Sequence, residues 1–180
     1  MKAPKFLFLY LLLTAVYFEV WAGNHYQTPS GVAYYIEPMY QFNWFEAYFE
    51  CSYRNMSLYT IKNIEQFQDL HSLLMSGKFN NKPPNLWIGG IGLKSKFFWV
   101  KTQQPMTYDD LWAPNNPDNA NEMEHCLQIW SGKRYLNDLN CERKIGFVCE
   151  SNSEDHLTAM AHNEGKYRGL TINLYQNNRV

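Results

Sequence analysis

The 180-residue chain is poor in charge, and this scarcity restricts the ligands that it can attract. Only 18% of its residues are charged, and 16 basic side chains against 17 acidic ones leave a formal net charge of −1. No run of lysine and arginine occurs, so a nucleic-acid partner is not expected. Aromatic residues reach 17% of the chain, and a sequence this rich in apolar rings is not disordered over most of its length.

Long apolar runs are absent beyond the N-terminus, so the sequence predicts no membrane span. Within residues 1–22, two lysines precede the apolar run Phe6–Val16, and Val20-Trp21-Ala22 ends the segment at a small residue. This order is typical of a secretory signal peptide that is cleaved after Ala22, because an anchor would need a longer run. We therefore expect a secreted, extracellular protein.

Motifs of common enzymes are missing as well: the chain has no H-E-x-x-H, G-x-S-x-G or P-loop sequence, and we expect no enzymatic activity. No C-x-x-C pair indicates a zinc site. Secretion instead favours disulfides among the four cysteines. Four cysteines allow three pairings, and spacing alone does not choose among them. The cysteines are Cys51, Cys126, Cys141 and Cys149.

Two helices are predicted early in the chain and short strands mainly later, which indicates an α+β fold. Asn43 with Glu46 is a capping-box pair, and the residues after it repeat apolar positions at helical spacing, as do the residues after Asn63. The inward positions are Trp44, Ala47, Tyr48 and Cys51 in the first helix, and Phe67, Leu70, Leu73 and Leu74 in the second. Strands are predicted at Val32–Ile36, Leu86–Ile88, Phe97–Val100, Cys126–Ile129 and Ile145–Cys149.

Hard oxygen ligands are concentrated in and after a polar stretch at residues 106–122, which is long enough to suggest a functional loop. Three carboxylates and two amides suit Ca²⁺, which accepts 6–8 oxygens, better than Zn²⁺ or Mg²⁺. Composition alone would also fit an ordinary solvated Asn/Asp loop. The candidate ligands are Asn116, Asp118, Glu124, Asn137 and Asp138.

From Tyr34 to Glu150 the chain resembles the C-type lectin-like domain family. The matching segments occur in the family's order: Trp44–Ala47 leading to Cys51, Leu86–Gly89, Asn116–Asp118, Glu124–Cys126, Asn137–Asp138, and Gly146–Glu150. The resemblance implies a disulfide-stapled fold of two helices, short antiparallel strands and a long calcium-binding loop. It also implies the pairings Cys51–Cys149 and Cys126–Cys141, and a cis peptide bond before Pro117.

The resemblance further implies that bound calcium itself holds two neighbouring sugar hydroxyls, with the five candidate ligands around it. In the family, Glu-Pro-Asn accompanies mannose-type sugars and Gln-Pro-Asp accompanies galactose. The triplet here is Asn116-Pro117-Asp118, whose amide-first order matches the galactose type. Asn116 is one methylene shorter than glutamine, and no aromatic residue directly follows Asp118 to stack on the sugar; Trp112 or Trp130 could take that place.

The predicted domains are a signal peptide at 1–22, a polar lead at 23–33, the lectin-like domain at 34–150 and a polar tail at 151–180. Asn55-Met56-Ser57 is a glycosylation sequon at a predicted helix end. The resemblance suggests binding of cell-surface or microbial glycans, agglutination and a role in innate immunity, with oligomers possible. The alternative is a protein-binding module with the same fold and no sugar binding.

Overall fold

The structure, a computed structural model, describes residues 24–28, 30–80, 82–93, 96–130 and 135–152. The predicted signal peptide lies outside these residues, as does the predicted tail beyond its first two residues. Within the described ranges, no helix is both long enough and apolar enough to cross a membrane.

Two helices form where the capping pairs predict them. Helix α1 spans Trp44–Tyr53 and begins with the complete Asn43/Glu46 capping box. Helix α2 spans Ile64–Leu74, and all four of its predicted inward residues are buried. In α1 the prediction is wrong at Tyr48, whose side chain is 39% exposed. Its ring stacks on that of Trp44 at a centroid distance of 5.8 Å instead of entering the core.

Eight strands join in one sheet, in the order β1-β2-β8-β4-β6-β7, with β3 paired to β8 and β5 paired to β4. The pairs β2–β8, β4–β5, β4–β6 and β6–β7 are antiparallel, whereas β4 and β8 are parallel. The strands are β1 His25–Gln27, β2 Ala33–Phe42, β3 Met56–Leu58, β4 Leu86–Leu93, β5 Lys96–Trp99, β6 Glu124–Ile129, β7 Leu136–Asn140 and β8 Ile145–Ser151. We call this sheet with its two helices the body.

Strand β4 extends beyond the predicted Leu86–Ile88. Gly89 and Gly90 do not end the strand, because they allow neighbouring segments to pack closely against it. A Cβ atom on Gly89 would lie 2.9 Å from the main-chain oxygen of Leu58, and one on Gly90 would lie 2.2 Å from Cδ1 of Leu127. Strands β1, β3 and β7 are additions to the predicted set. β1 pairs with β2 at His25↔Tyr35 and so brings part of the polar lead into the sheet.

Two disulfides fasten the body: Cys51–Cys149, which closes a sequence separation of 98, and Cys126–Cys141, which closes one of 15. All four cysteines are thereby used. The first bridge joins α1 to β8 inside a buried cluster that also contains Trp44, Trp87 and Phe147. Two helices on a mixed sheet with these bridges confirm the α+β prediction.

The carboxylate of Glu150, in β8, is nearly fully buried in the body at 2% exposure. It is paired with two lysines. Nζ of Lys101 lies 3.3 Å from Oε1, and Nζ of Lys62 lies 4.0 Å from Oε2. Because an isolated buried charge is costly, these ammonium groups are what make the burial of Glu150 tolerable.

Candidate functional site

The long loop, residues 106–123, connects the β5 side of the sheet to β6 without forming a strand of its own. It contains two short 3-10 segments, Asp109–Leu111 and Ala120–Glu122. Four non-glycine residues of this region have positive φ: Asn115, Asn119, Asn121 and Glu122. Asparagine tolerates this left-handed conformation better than most residues, which explains why the loop is rich in it.

Asp138, in β7, anchors the loop. The side chain is fully buried, and its two oxygens accept hydrogen bonds from two successive loop amides. N–H of Asp118 lies 3.2 Å from Oδ1, and N–H of Asn119 lies 2.8 Å from Oδ2. Strand β7 fixes this carboxylate through its pairing with β6, where Asp138 is opposite Leu127.

Two further carboxylates, of Asp118 and Glu124, face the same point. N–H of Ala120 lies 3.2 Å from Oδ1 of Asp118 and 3.3 Å from Oε2 of Glu124, so one amide bridges both acids. One oxygen each from Asp118, Glu124 and Asp138 lies within 4.8 Å of the others. We call these three residues the acid cluster; its members come from the long loop, the first residue of β6 and the middle of β7.

Burial and repulsion between carboxylates favour the protonated forms of Glu124 and Asp138. Burial, followed by the hydrogen-bonding contact with Asp118, raises the pKa of Glu124 to about 7, and the charge of Asp138 contributes. Burial also raises the pKa of Asp138, although three backbone amide contacts oppose the shift. Crowded carboxylates with raised pKa values are the electrostatic condition that a bound cation relieves.

Asn116 supplies an oxygen without a protein partner. Its Nδ2 donates to the main-chain oxygen of Pro114 at 3.3 Å, while Oδ1 is buried and accepts no hydrogen bond. The following Asn116–Pro117 peptide bond is cis. Because buried polar atoms are almost always satisfied, an unpartnered buried carbonyl oxygen next to an acid cluster fits a metal ligand.

Asn137 directly precedes Asp138 in β7 and is half-buried. Its side-chain amide donates to the main-chain oxygen of Asp138, one of the oxygens that the resemblance implies as a ligand. The structure therefore places all five candidate residues on two adjoining segments, the long loop with the start of β6, and β7. Three of the five form the acid cluster.

Asn119 is a site residue that sequence reasoning missed. Its Oδ1 accepts from N–H of Glu124 at 3.0 Å, while its own N–H donates to Asp138. Its left-handed backbone, with φ of 46°, allows both contacts. The signal available in the sequence was weak, because an asparagine among asparagines in a polar stretch indicates only a turn.

The two tryptophans that the sequence offers for sugar stacking differ in accessibility. Trp112 lies with its ring 5.3 Å from that of Phe97, measured between centroids, and is partly buried against the core. Trp130 follows β6 and is 37% exposed. Leu136, where the family commonly has tryptophan, is fully buried and accepts from N–H of Ala113 at 2.9 Å.

Chemically, the arrangement offers carboxylate and amide oxygens, with no thiolate or imidazole among the residues described above. This donor set fits Ca²⁺ and not Zn²⁺. A cation there would be held by the acid cluster and by Oδ1 of Asn116. The fold and this oxygen-lined loop together define the class of C-type lectin domains.

Comparisons with known proteins agree. The family model "Lectin C-type domain" matches residues 40–151, more than half of the chain. The chain belongs to this family of lectin domains. Within the family, the chain is 34% identical to "Lectin subunit alpha" of Sarcophaga peregrina over 132 residues, which are 68% of this chain and 46% of that protein. It is 30% identical to "Salivary C-type lectin 1" of Aedes albopictus, covering 77% of this chain and 89% of that one.

Solved structures show the same fold at low identity. The mouse scavenger receptor C-type lectin carbohydrate-recognition domain matches with a TM-score of 0.59 and 20% identity, covering 72% of this chain and 96% of that one. A Ca²⁺-dependent type II antifreeze protein matches with a TM-score of 0.56 and 21% identity, covering 71% and 96%. The chain spans only about half or less of several curated relatives, including 46% of the Sarcophaga protein and 19% of horse "E-selectin".

Proposed function

We propose that the protein is a calcium-dependent lectin whose bound ion is the sugar-binding surface. The observation that carries the proposal is the convergence of the acid cluster within 4.8 Å beside an unpartnered, buried amide oxygen of Asn116. Calcium would neutralise the crowded carboxylates and provide a partner for that oxygen. Asn137 and the main-chain oxygen of Asp138 would complete the ligand set, since both adjoin the cluster.

For the sugar, we propose terminal galactose-type glycans. The support is the order of groups around Pro117, with the amide of Asn116 first and the carboxylate of Asp118 third. That order sets which sugar hydroxyls meet a donor and which meet a charged acceptor. Trp130, the more exposed of the two candidate tryptophans, is the better candidate for stacking on the apolar face of the sugar.

A glycan array probed with and without EDTA tests the proposal. We expect galactose-terminated glycans to be retained in calcium and lost in EDTA. Retention that is unchanged by the chelator would contradict the role of the ion, and retention only of mannose-type glycans would contradict the sugar assignment alone.

An exchange of groups within the triplet makes the test sharper. The double variant Asn116→Glu/Asp118→Asn keeps one carboxylate and one amide but reverses their order, and we expect it to shift preference towards mannose-type glycans. Asn116→Gln is the matched control, because it keeps the order and extends the amide by one methylene; we expect it to retain galactose. The same preference in both variants would contradict the proposed basis of selection.

A protein-binding function of the same fold is the second candidate. It is favoured by the ring of Trp112, which packs against Phe97 and is not free to line a sugar site. The fold itself does not decide, since one matching structure is an antifreeze protein. Absence of any glycan signal, together with calcium-independent capture of a protein partner, would support this candidate.

We also propose that the protein is secreted and glycosylated. Asn55 is exposed, has a φ of 55° and begins the turn into β3, where a glycan would project from the surface. Mass spectrometry of the protein recovered from culture medium is expected to find Gly23 at the N-terminus and a glycan at Asn55. Ser57→Ala should remove the glycan, and an intact Met1 would contradict the predicted cleavage.

A further inference from the structure

Helix α1 presents aromatic residues to solvent on the face opposite its core contacts. Phe45, Phe49 and Tyr53 recur at i, i+4 and i+8, so their side chains align along one side of the helix. They are 44%, 68% and 91% exposed, respectively. We call these three residues the aromatic stripe. Monomeric proteins rarely expose large contiguous apolar patches, so a patch of this kind indicates an interaction site.

The rings in and beside the stripe support one another. Tyr48 packs edge-on to Phe49 at a centroid distance of 5.8 Å and lies flat on Trp44. Trp44 in turn meets Phe45 edge-on at 5.4 Å. A surface whose side chains are already restrained loses less conformational entropy when it is covered.

We propose that the aromatic stripe is the contact surface of a homodimer, in which the α1 helices of two copies pack antiparallel about a two-fold axis at Phe49. The stripe is symmetric about its middle residue, so reversal of one helix places Phe49 against its own copy and Phe45 against Tyr53 of the second molecule. Such self-complementarity is what an isologous two-fold interface requires.

The charged groups beside the stripe already have partners within one chain. Glu46 contacts Lys144, and Arg54 contacts Glu50 and lies with its guanidinium carbon 4.3 Å from the centre of the Tyr35 ring. Contact between two stripes therefore covers aromatic rings without burying an unpaired charge.

The exposed rings indicate a weak dimer. At about 200 Å² for each aromatic side chain, the stripe and Tyr48 would remove roughly 500 Å² of ring surface per copy. This lies at the low end of specific interfaces, so we expect dissociation in the micromolar range. The stripe shares no residue with the acid cluster, and the inference does not rest on sugar binding.

Sedimentation equilibrium of the full chain as secreted, over a range of concentrations, tests the dimer. We expect a monomer–dimer equilibrium whose dissociation constant rises at least about 100-fold in Phe49→Ser, because each dimer loses two central rings. Phe98→Ser removes another exposed phenylalanine ring, 45% accessible on β5, and should leave the equilibrium unchanged. A wild-type chain that stays monomeric, or a dimer unaffected by Phe49→Ser, overturns the proposal.

A crosslinking measurement tests the orientation separately. With a short bismaleimide, Phe49→Cys should give a covalent dimer, since residue 49 lies next to its own copy at the axis. Phe98→Cys, which is also at an exposed position, should not. Equal crosslinking of both variants overturns the two-fold geometry even if the protein dimerises.

Discussion

The body and the long loop are stabilised by different kinds of interaction. In the body, apolar side chains such as Trp87 and Phe147 are fully buried, and a disulfide joins helix to strand. The long loop is held largely by amide hydrogen bonds to carboxylates, with Asp138 accepting two of them. The body is therefore complete as a protein fold, whereas the loop gathers negative charge that a cation would balance.

This contrast gives an order of expected effects. Substitutions in the body should lower the free energy of unfolding whether or not metal is present. Substitutions in the acid cluster should act mainly through calcium. The four predictions that follow test this division, from the largest effect to the smallest.

Removal of the outer disulfide should have the largest effect. We expect Cys51→Ser/Cys149→Ser to lower the free energy of unfolding by about 4 to 5 kcal/mol, because the bridge closes a separation of 98 residues. The matched variant, Cys126→Ser/Cys141→Ser, should cost about 3 kcal/mol because its loop is shorter. Urea denaturation followed by tryptophan fluorescence measures both. A larger loss from the inner pair would show that the site region is the more important for stability.

Loss of one partner of Glu150 should come next. Lys101→Met removes the nearer of the two ammonium groups from the buried carboxylate, and we expect a loss of about 3 kcal/mol. The double variant Lys101→Met/Glu150→Gln should recover most of the lost stability, because it also removes the buried negative charge. Lys144→Met breaks the exposed pair with Glu46 and is the control, for which we expect less than about 1 kcal/mol. Equal costs for Lys101→Met and Lys144→Met would contradict the buried role of Glu150.

Calcium should stabilise the protein through the acid cluster. At about 100 times its dissociation constant the ion should add about 2.7 kcal/mol to the free energy of unfolding. Glu124→Gln should abolish this gain without weakening the metal-free protein, since the variant removes charge repulsion. Glu122→Gln, an exposed acid outside the cluster, should keep the gain. Denaturation with calcium and with EDTA measures each variant, and a full calcium gain in Glu124→Gln would refute the assignment.

The smallest effect concerns pH in the absence of metal. Because the folded state raises the pKa of Glu124 from 4.5 to about 7, folded protein binds more protons than unfolded protein between these values. This contribution to stability is present below pH 4.5 and is lost as the pH rises through 7. We expect the stability of the wild type, relative to Glu124→Gln, to fall over that interval in EDTA. A rise over the same interval would contradict the raised pKa.

Residue patterns predicted those parts of the body in which capping residues and buried apolar positions indicate the same secondary structure. The Asn43/Glu46 pair fixed the start of α1, and the apolar spacing in α2 identified its buried face, because both signals lie within a few residues. Tyr48 had the spacing of a core residue, yet it is 39% exposed because its ring lies on Trp44. Periodicity gives the direction of a side chain but not the depth of its burial.

The site was less accessible to residue patterns alone. Asp118 and Asp138 lie 20 positions apart, and only the pairing of β7 with β6 brings them together. Composition could not distinguish this arrangement from a solvated polar loop, and the candidate ligands became specific only through the resemblance. Asn119 went unnoticed because its role depends on a backbone conformation that many sequences could adopt.

The adjacency of β2 and β8 in the sheet has a further consequence. Tyr34 pairs with Glu150, so the first and last strands of the family domain lie side by side. The two ends of the domain are thus close together, and a unit of this kind can be inserted into a longer chain without rearrangement of its fold. The region of horse "E-selectin" that is similar to this chain makes up 19% of that protein, and adjacent domain ends are compatible with such a position inside a longer chain.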